Sequence, residues 1–343
     1  MAPGTPRRQV VVVGASAGGV EALGRMVAGL RDDNGMAAVF VVLHIMPAGT
    51  SVLPDILDRA GPLPAQAARD GAPIEVGHIY VAPPDRHLLI ERGRMRLTRG
   101  PRENGHRPAV DPTFRSAAEA YGPEVVGVIM SGALDDGSAG LAAVKRAGGL
   151  AVVQDPADAT YAGMPSSALA TTDVDHVLDA EGVAELLNEV AHSEDDEDEE
   201  DPNDDVPGHQ EPVMDELNQE ETERPASGFT CPECGGALWG KQEGDVLQFK
   251  CRVGHAYSPE SLVDEQGRSL EAAMWAALRA LEERADLLRR MARRFADSDK
   301  SGERFKRRIR DVEAQAAIVR EAVLSLSSEM RPSAQQRASV AER

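Results

Sequence analysis

Val10-Val-Val-Val-Gly-Ala-Ser16-Ala-Gly-Gly19 decides the fold of the first half of the chain. Four consecutive valines suit a strand buried on both faces, because β-branched side chains pack well on a pleated surface. The glycines at 14, 18 and 19 end that run, and Val20, Leu23, Val27 and Leu30 then recur at helical spacing. The result is a strand–turn–helix with Ser16 in the turn. Gly14-Ala-Ser16-Ala-Gly18 fits G-x-S-x-G, in which small neighbours let a tight turn present a serine hydroxyl beside backbone N–H groups and a helix N-terminus. A phosphate-binding turn has the same outline, but the G-x-G-x-x-G spacing fails at Ser16 and no Gly-Lys-Ser/Thr follows. A turn with no chemistry remains open on this stretch alone.

Further buried-strand runs follow at Ala37–Leu43, Val125–Met130 and Leu150–Gln154, alternating with helical patterns near Ser51–Leu57, Pro112–Tyr121, Ser138–Ala147, Pro165–Ala170 and Glu181–Val190. This alternation argues an α/β, doubly wound, mainly parallel sheet. Between 78 and 98 the pattern changes to short alternating runs around Pro83-Pro84 and Arg92-Gly93, the chemistry of an antiparallel hairpin. Ligands of such sheets bind beyond the carboxyl ends of the strands. Ser16, His44 and Asp136 all stand there. A serine nucleophile needs an imidazole to take its proton and a carboxylate to orient the imidazole. The order Ser…His…Asp differs from the Ser…Asp…His of α/β-hydrolases.

These residues carry a resemblance. GASAGG at 14–19, VVLHIMP at 41–47, IYVAPPDRHLLI at 79–90, HRPAVDPTFRSAA at 106–118, SGALDDGSAGL at 131–141 and YAGMPSSAL at 161–169 resemble the catalytic domain of the chemotaxis protein-glutamate methylesterases, the CheB family. The resemblance implies Ser16 as nucleophile, His44 as base, Asp136 as orienting acid, and the backbone N–H groups of Ala17 and Ala133 as oxyanion donors. It implies methyl esters on receptor glutamates as substrate, a methylated chemoreceptor or similar signalling protein as partner, and no cofactor for catalysis. Three departures stand out: Ala17 where the family usually has Thr, an altered Ser131–Asp136 loop, and no receiver domain ahead of the first strand. A non-enzymatic adaptor that keeps the fold, and a protein-glutamine deamidase using the same acyl-enzyme, are the alternative functions.

The net charge of −20 is concentrated. Residues 1–190 carry −7, residues 191–224 carry −15 and residues 225–343 carry +2. Glu194 to Asp201 are uninterrupted acids, too polar to offset their ordering entropy, so an extended linker is expected. No part reads as a nucleic-acid surface, no apolar run is long enough for a membrane span, and a cytoplasmic location is expected. Cys231-x2-Cys234, sixteen residues, then Cys251-x3-His255 is a metal spacing, and four such ligands close a tetrahedral structural zinc site. Beyond Ser258-Pro-Glu, apolar positions at 270, 274, 277, 281, 288, 291 and 295, interrupted by Arg284, and again from 305 to 326, suggest an antiparallel helical hairpin. That hairpin could hold a helical partner or a second copy of the chain. The expected domains are 8–190 (catalytic), 191–228 (acidic linker), 229–257 (zinc ribbon), 258–330 (helical hairpin) and 331–343 (disordered tail).

Overall fold

The structure is a computed structural model in which residues 10–32, 37–46, 51–191, 226–243, 246–294 and 299–329 are described. The acidic run at 194–201, most of the expected linker and the expected tail lie outside the described residues.

The first strand, β1 (Val10–Ala15), lies at the centre of a seven-stranded sheet. Its neighbours are β2 (Ala38–Leu43) and β7 (Val125–Ile129), both parallel to it. β4 (Ile79–Val81) and β3 (Ala65–Ala67) extend one side; β8 (Leu150–Gln154) and β9 (His176–Leu178) extend the other, every pairing parallel. The strand order is β3-β4-β2-β1-β7-β8-β9. The valines of β1 show why the run has no polar member: Val11 and Val13 face one apolar layer, Val10 and Val12 the other. Successive side chains on a strand point to opposite faces, so a strand covered on both sides must be apolar throughout.

Helices α1 (Gly19–Ala28), α2 (Leu53–Ala60) and α6 (Ala180–Ala191) cover the first face through Leu23, Met26, Leu57 and Leu187. Helices α3 (Val110–Tyr121), α4 (Ser138–Arg146) and α5 (Gly163–Thr171) cover the second through Phe114, Leu141, Val144 and Met164. Each such fully buried side chain contributes about 1.5–3 kcal/mol relative to exposure. The antiparallel hairpin β5 (His87–Glu91) and β6 (Arg94–Thr98) is a separate ribbon packed on α3, where Thr113 donates to the Leu88 carbonyl at 2.7 Å. Strand β3 has no signature in the sequence, being three residues long at an edge.

Among the described residues of the C-terminal half, β10 (Leu238–Glu243), β11 (Val246–Cys251) and β12 (Ala256–Tyr257) form an antiparallel sheet over a small core of Leu238, Cys251, Tyr257 and Leu262. This module belongs to one compact unit with the α/β domain, Met1–Leu262. The second unit, Val263–Arg343, is dominated by two long helices, α7 (Pro259–Arg294, which starts in the first unit) and α8 (Asp299–Glu329). Pairs Arg289–Glu313 and Arg320–Glu282 run in opposite sequence directions, so the helices are antiparallel. Their shared core holds Leu281, Ala285, Leu288, Phe305, Ile309 and Val312. Leu278 and Ala285 are buried where the sequence reading used Ala277 and Arg284. Arg284 is exposed and does not interrupt the stripe, which keeps the alternation of threes and fours but takes its step of four after Leu281 rather than before it.

Candidate active site

The turn after β1 places Ser16 by geometry that glycine makes possible. Gly18, the residue before α1, has φ +72°, a left-handed conformation that a side chain would strain. Gly132 lies against the turn from the neighbouring strand end: a Cβ there would come within 3.0 Å of the Ser16 Cβ and 2.0 Å of the Met164 sulfur. The Ser16 N–H donates to the Ser131 carbonyl at 2.9 Å, and the Ser131 hydroxyl donates to the Ala17 carbonyl at 2.8 Å. Ser131 itself receives the Tyr161 N–H on its hydroxyl and gives its own N–H to Gln154. The turn that carries Ser16 is therefore latched to the end of β7.

His44 leaves the end of β2 beside this turn. Its Nδ1 is 3.0 Å from the Ser16 Oγ, and its Nε2 is 2.6 Å from Asp136 Oδ2. With the proton on Nε2, directed at the carboxylate, Nδ1 is an acceptor for the serine hydroxyl. The two ring nitrogens have exchanged places relative to the serine-protease template. The ring is only 7% exposed, and His106 stacks on it with centroids 3.7 Å apart and planes at 11°. Stacking holds the imidazole plane in line with both partners.

Asp136 lies in the loop beyond β7, 2% exposed. Its Oδ2 also accepts the Val110 N–H at 2.7 Å, at the start of α3, and its Oδ1 accepts Asn104 Nδ2 at 2.9 Å. Burial alone would push this carboxyl up; donation from His44, Val110 and Asn104 outweighs it and holds the group well below the usual carboxylate range. A second buried carboxyl, Asp111, shares the Asn104 amide at 3.0 Å and accepts the Gly140 N–H at 2.6 Å. Burial first, then the Asp136 charge, push Asp111 up to about 8. Two adjacent carboxyls are thus driven apart, one kept ionised and one shifted towards the protonated form.

The structure brings Ser16, His44 and Asp136 into one hydrogen-bonded run. Within the described residues, no hydrogen bond occupies the N–H of Ala17 or of Ala133, the two groups expected to serve an oxyanion. Sequence reasoning missed Asn104, Asp111 and His106. All three lie in or just before the HRPAVDPTF stretch, but nothing in their spacing shows that they converge on Asp136 and His44.

The expected metal ligands also converge. Donor atoms of Cys231, Cys234, Cys251 and His255 all lie within 4.8 Å of one another. Cys234 Sγ is 3.6 Å from Cys251 Sγ, and His255 Nδ1 is 3.4 Å from Cys251 Sγ and 3.7 Å from Cys231 Sγ. A tetrahedron with bonds of about 2.3 Å to sulfur and 2.0–2.1 Å to nitrogen has S···S edges of about 3.8 Å and S···N edges of about 3.6 Å. A disulfide would need about 2.05 Å, so these separations fit donors arranged around one ion and not a bonded cysteine pair.

The CheB methylesterase family profile matches residues 11–187. A putative protein-glutamate methylesterase/protein-glutamine glutaminase of Leptospira interrogans is 40% identical over 180 residues, 52% of this chain and 93% of the relative. A protein-glutamate methylesterase/protein-glutamine glutaminase of Anaeromyxobacter dehalogenans is 43% identical over 187 residues, 54% of each chain. The matching region thus spans about half the length of that longer relative. The crystal structure of the Thermotoga maritima CheB methylesterase catalytic domain superimposes with a TM-score of 0.51 at 34% identity, covering 53% of this chain and 98% of that one.

Proposed function

The chain belongs to the CheB methylesterase family, and on that premise we propose that Ser16, His44 and Asp136 are the groups with which it removes methyl esters from protein glutamates. It is a methylesterase of this family, and its sheet, helices and hairpin are those of the family's catalytic domain. The observation that carries the assignment is the run Ser16 Oγ–His44–Asp136, 3.0 and 2.6 Å long.

In the proposed mechanism, His44 Nδ1 takes the Ser16 proton as Oγ attacks the ester carbonyl carbon. The tetrahedral intermediate places its oxyanion towards the Ala17 and Ala133 N–H groups, beside the positive N-terminal end of α1. His44 then returns the proton to the departing methoxide, so methanol leaves and an acyl-serine remains. Water, deprotonated by His44, cleaves the acyl-serine to give glutamate and free Ser16. Asp136 fixes the productive tautomer and stabilises the imidazolium formed in each half-reaction. A glutamine amide fits the same sequence with ammonia as leaving group, a second reading that the two-part names of the relatives favour.

The substrate proposed is a methylated chemoreceptor or similar signalling protein, and the helical hairpin is the segment proposed to recruit a helical partner or a second copy. The Cys/His cluster is proposed to hold a structural zinc, since four protein ligands leave no open position for chemistry. Its three free cysteines suit a reducing compartment, and no described helix is long and apolar enough to cross a membrane. Incubating the full chain with methylated receptor and measuring methanol tests the catalytic assignment. Ser16→Ala should reduce release to background while the protein stays folded; undiminished release would remove Ser16 from the mechanism.

A further inference from the structure

The Cys/His module makes hydrogen bonds to the loops that hold the catalytic acid. Immediately after the ligand His255, the Ala256 carbonyl accepts the Asn104 N–H at 2.8 Å, and the Ala256 N–H donates to the Arg102 carbonyl at 3.4 Å. Two residues on, the Ser258 N–H donates to Asn104 Oδ1 at 2.9 Å. The Ser258 and Ser261 hydroxyls both donate to Asp135 Oδ1, at 2.7 and 2.8 Å, and Asp135 adjoins Asp136 in the chain. Between the metal ligands, Glu233 pairs with Arg102 at 3.0 Å.

Asn104 is the junction. It is 3% exposed and has φ +51°, a conformation costly for most side chains and tolerated by Asn. Every polar group of its side chain is engaged: Oδ1 by the module, Nδ2 by Asp136 and Asp111. An amide with both ends fixed has one orientation. Released at Oδ1, it can turn, and a donor is then lost to the catalytic carboxylate.

We propose that Asn104 is a positioning residue for ester hydrolysis, and that the Cys/His module, when its metal is bound, holds Asn104 and the 134–136 loop so that Asp136 orients His44. Metal occupancy of a site remote from Ser16 thereby sets turnover. The inference rests on the triad and metal site proposed above. It differs from simple packing of one module on another, because packing predicts loss of stability without a specific effect on the His44–Asp136 bond.

The test uses the full chain, with zinc measured by elemental analysis and p-nitrophenyl acetate as the soluble ester. Removing zinc with a chelator should lower kcat about tenfold, the effect of losing one hydrogen bond to a buried charged group, with KM changed less than about twofold. The downfield proton resonance of His44 Nε2–H should shift or broaden, and added zinc should restore both readings. Asn104→Ala should show a similar loss, and chelation of that variant should lower kcat further by less than it does in the unsubstituted chain, since only the hold of Ser258 and Ser261 on Asp135 then remains to be released. If the variant fails to fold, the chelation series alone still decides. An unchanged kcat and resonance after zinc removal would overturn the proposal. Absence of zinc from the purified chain would remove it together with the metal site, whereas retained turnover in Ser16→Ala would remove the triad; the three failures are distinguishable.

Discussion

Replacing Asp136 by Asn tests the catalytic reading at the residue where the structure constrains it most. The carboxylate accepts on both oxygens: Oδ2 from His44 and Val110, Oδ1 from Asn104. An amide of the same shape has only one acceptor. If its NH2 takes the Oδ1 position it faces the Asn104 amide, donor against donor. If it takes the Oδ2 position it faces the Val110 N–H, and His44 can meet it only by moving its proton to Nδ1. That tautomer directs N–H at Ser16 Oγ, where a base is required. Retaining the productive tautomer leaves a buried donor conflict, about 1–3 kcal/mol for the unsatisfied group. Relieving it disables the base, and an acid-to-amide change of this kind in a serine triad lowers kcat by about 10⁴.

The expected outcome for Asp136→Asn is therefore a folded protein with kcat down by about 10³–10⁴, KM little changed, and a melting midpoint lowered by a few degrees, at about 2–4 °C per kcal/mol for a domain of this size. Methanol release from methylated receptor and p-nitrophenyl acetate turnover read the first quantity, and calorimetry the last. Turnover within about tenfold of the unsubstituted protein would refute the argument, since about 1.4 kcal/mol is too little for loss of the tautomer-fixing group.

Gly132→Ala should lower both stability and kcat, because the new methyl collides with the buried Met164 sulfur and reaches the Ser16 Cβ; thermal unfolding and ester turnover measured together should show about 1–3 kcal/mol of overpacking and a displaced nucleophile. Asp111, raised to about 8 when folded, contributes stability that is complete in acid and is lost as pH rises through about 8, the reverse of Asp136, whose contribution is lost in acid. Denaturant midpoints from pH 5 to 8.5 should thus fall more steeply for the unsubstituted chain than for Asp111→Asn. Residues 1–262, compared with the full chain, should match it on p-nitrophenyl acetate and lose rate on methylated receptor if the helical hairpin recruits substrate; equal rates on both would leave the hairpin without that role.

The sheet was legible because its strands are covered on both faces. Runs such as Val10–Val13 and Val125–Ile129 admit no polar residue, and the helices between them keep a clean period. Strand β3 was not legible, since three residues at an edge need little pattern. In α7 the apolar spacing points to Arg284, whereas the described helix takes its step of four after Leu281 and buries Ala285 instead, a choice of phase that Ala277 and Ala285, being equally small, do not settle in the sequence. Ser16, His44 and Asp136 could be read because each stands next to a strand end or inside a quoted motif. Asn104 could not: it stands out through a left-handed backbone and four partners, of which only Asp111 is near in sequence while Asp136, Ala256 and Ser258 are distant.

The Cys/His module reads as a separate domain in sequence yet shares one compact unit with the α/β domain in the structure. Ligand spacing is a local signal and acidic composition is a local signal, and both argue for a tether followed by an autonomous knuckle. The contacts that oppose autonomy include single backbone groups, Ala256 to Arg102 and Asn104 and Ser258 to the Asn104 side chain, with two serine hydroxyls on Asp135 and the Glu233–Arg102 pair. Backbone groups carry no residue identity, so no pattern announces them. Their effect is nevertheless concentrated: three end on Asp135 or on the Asn104 side-chain amide that donates to Asp136, and the Ala256 bonds hold the backbone of residues 102 and 104. On the inference above, a module fixed at that point acts on the orientation of the imidazole, which general-base catalysis by His44 requires.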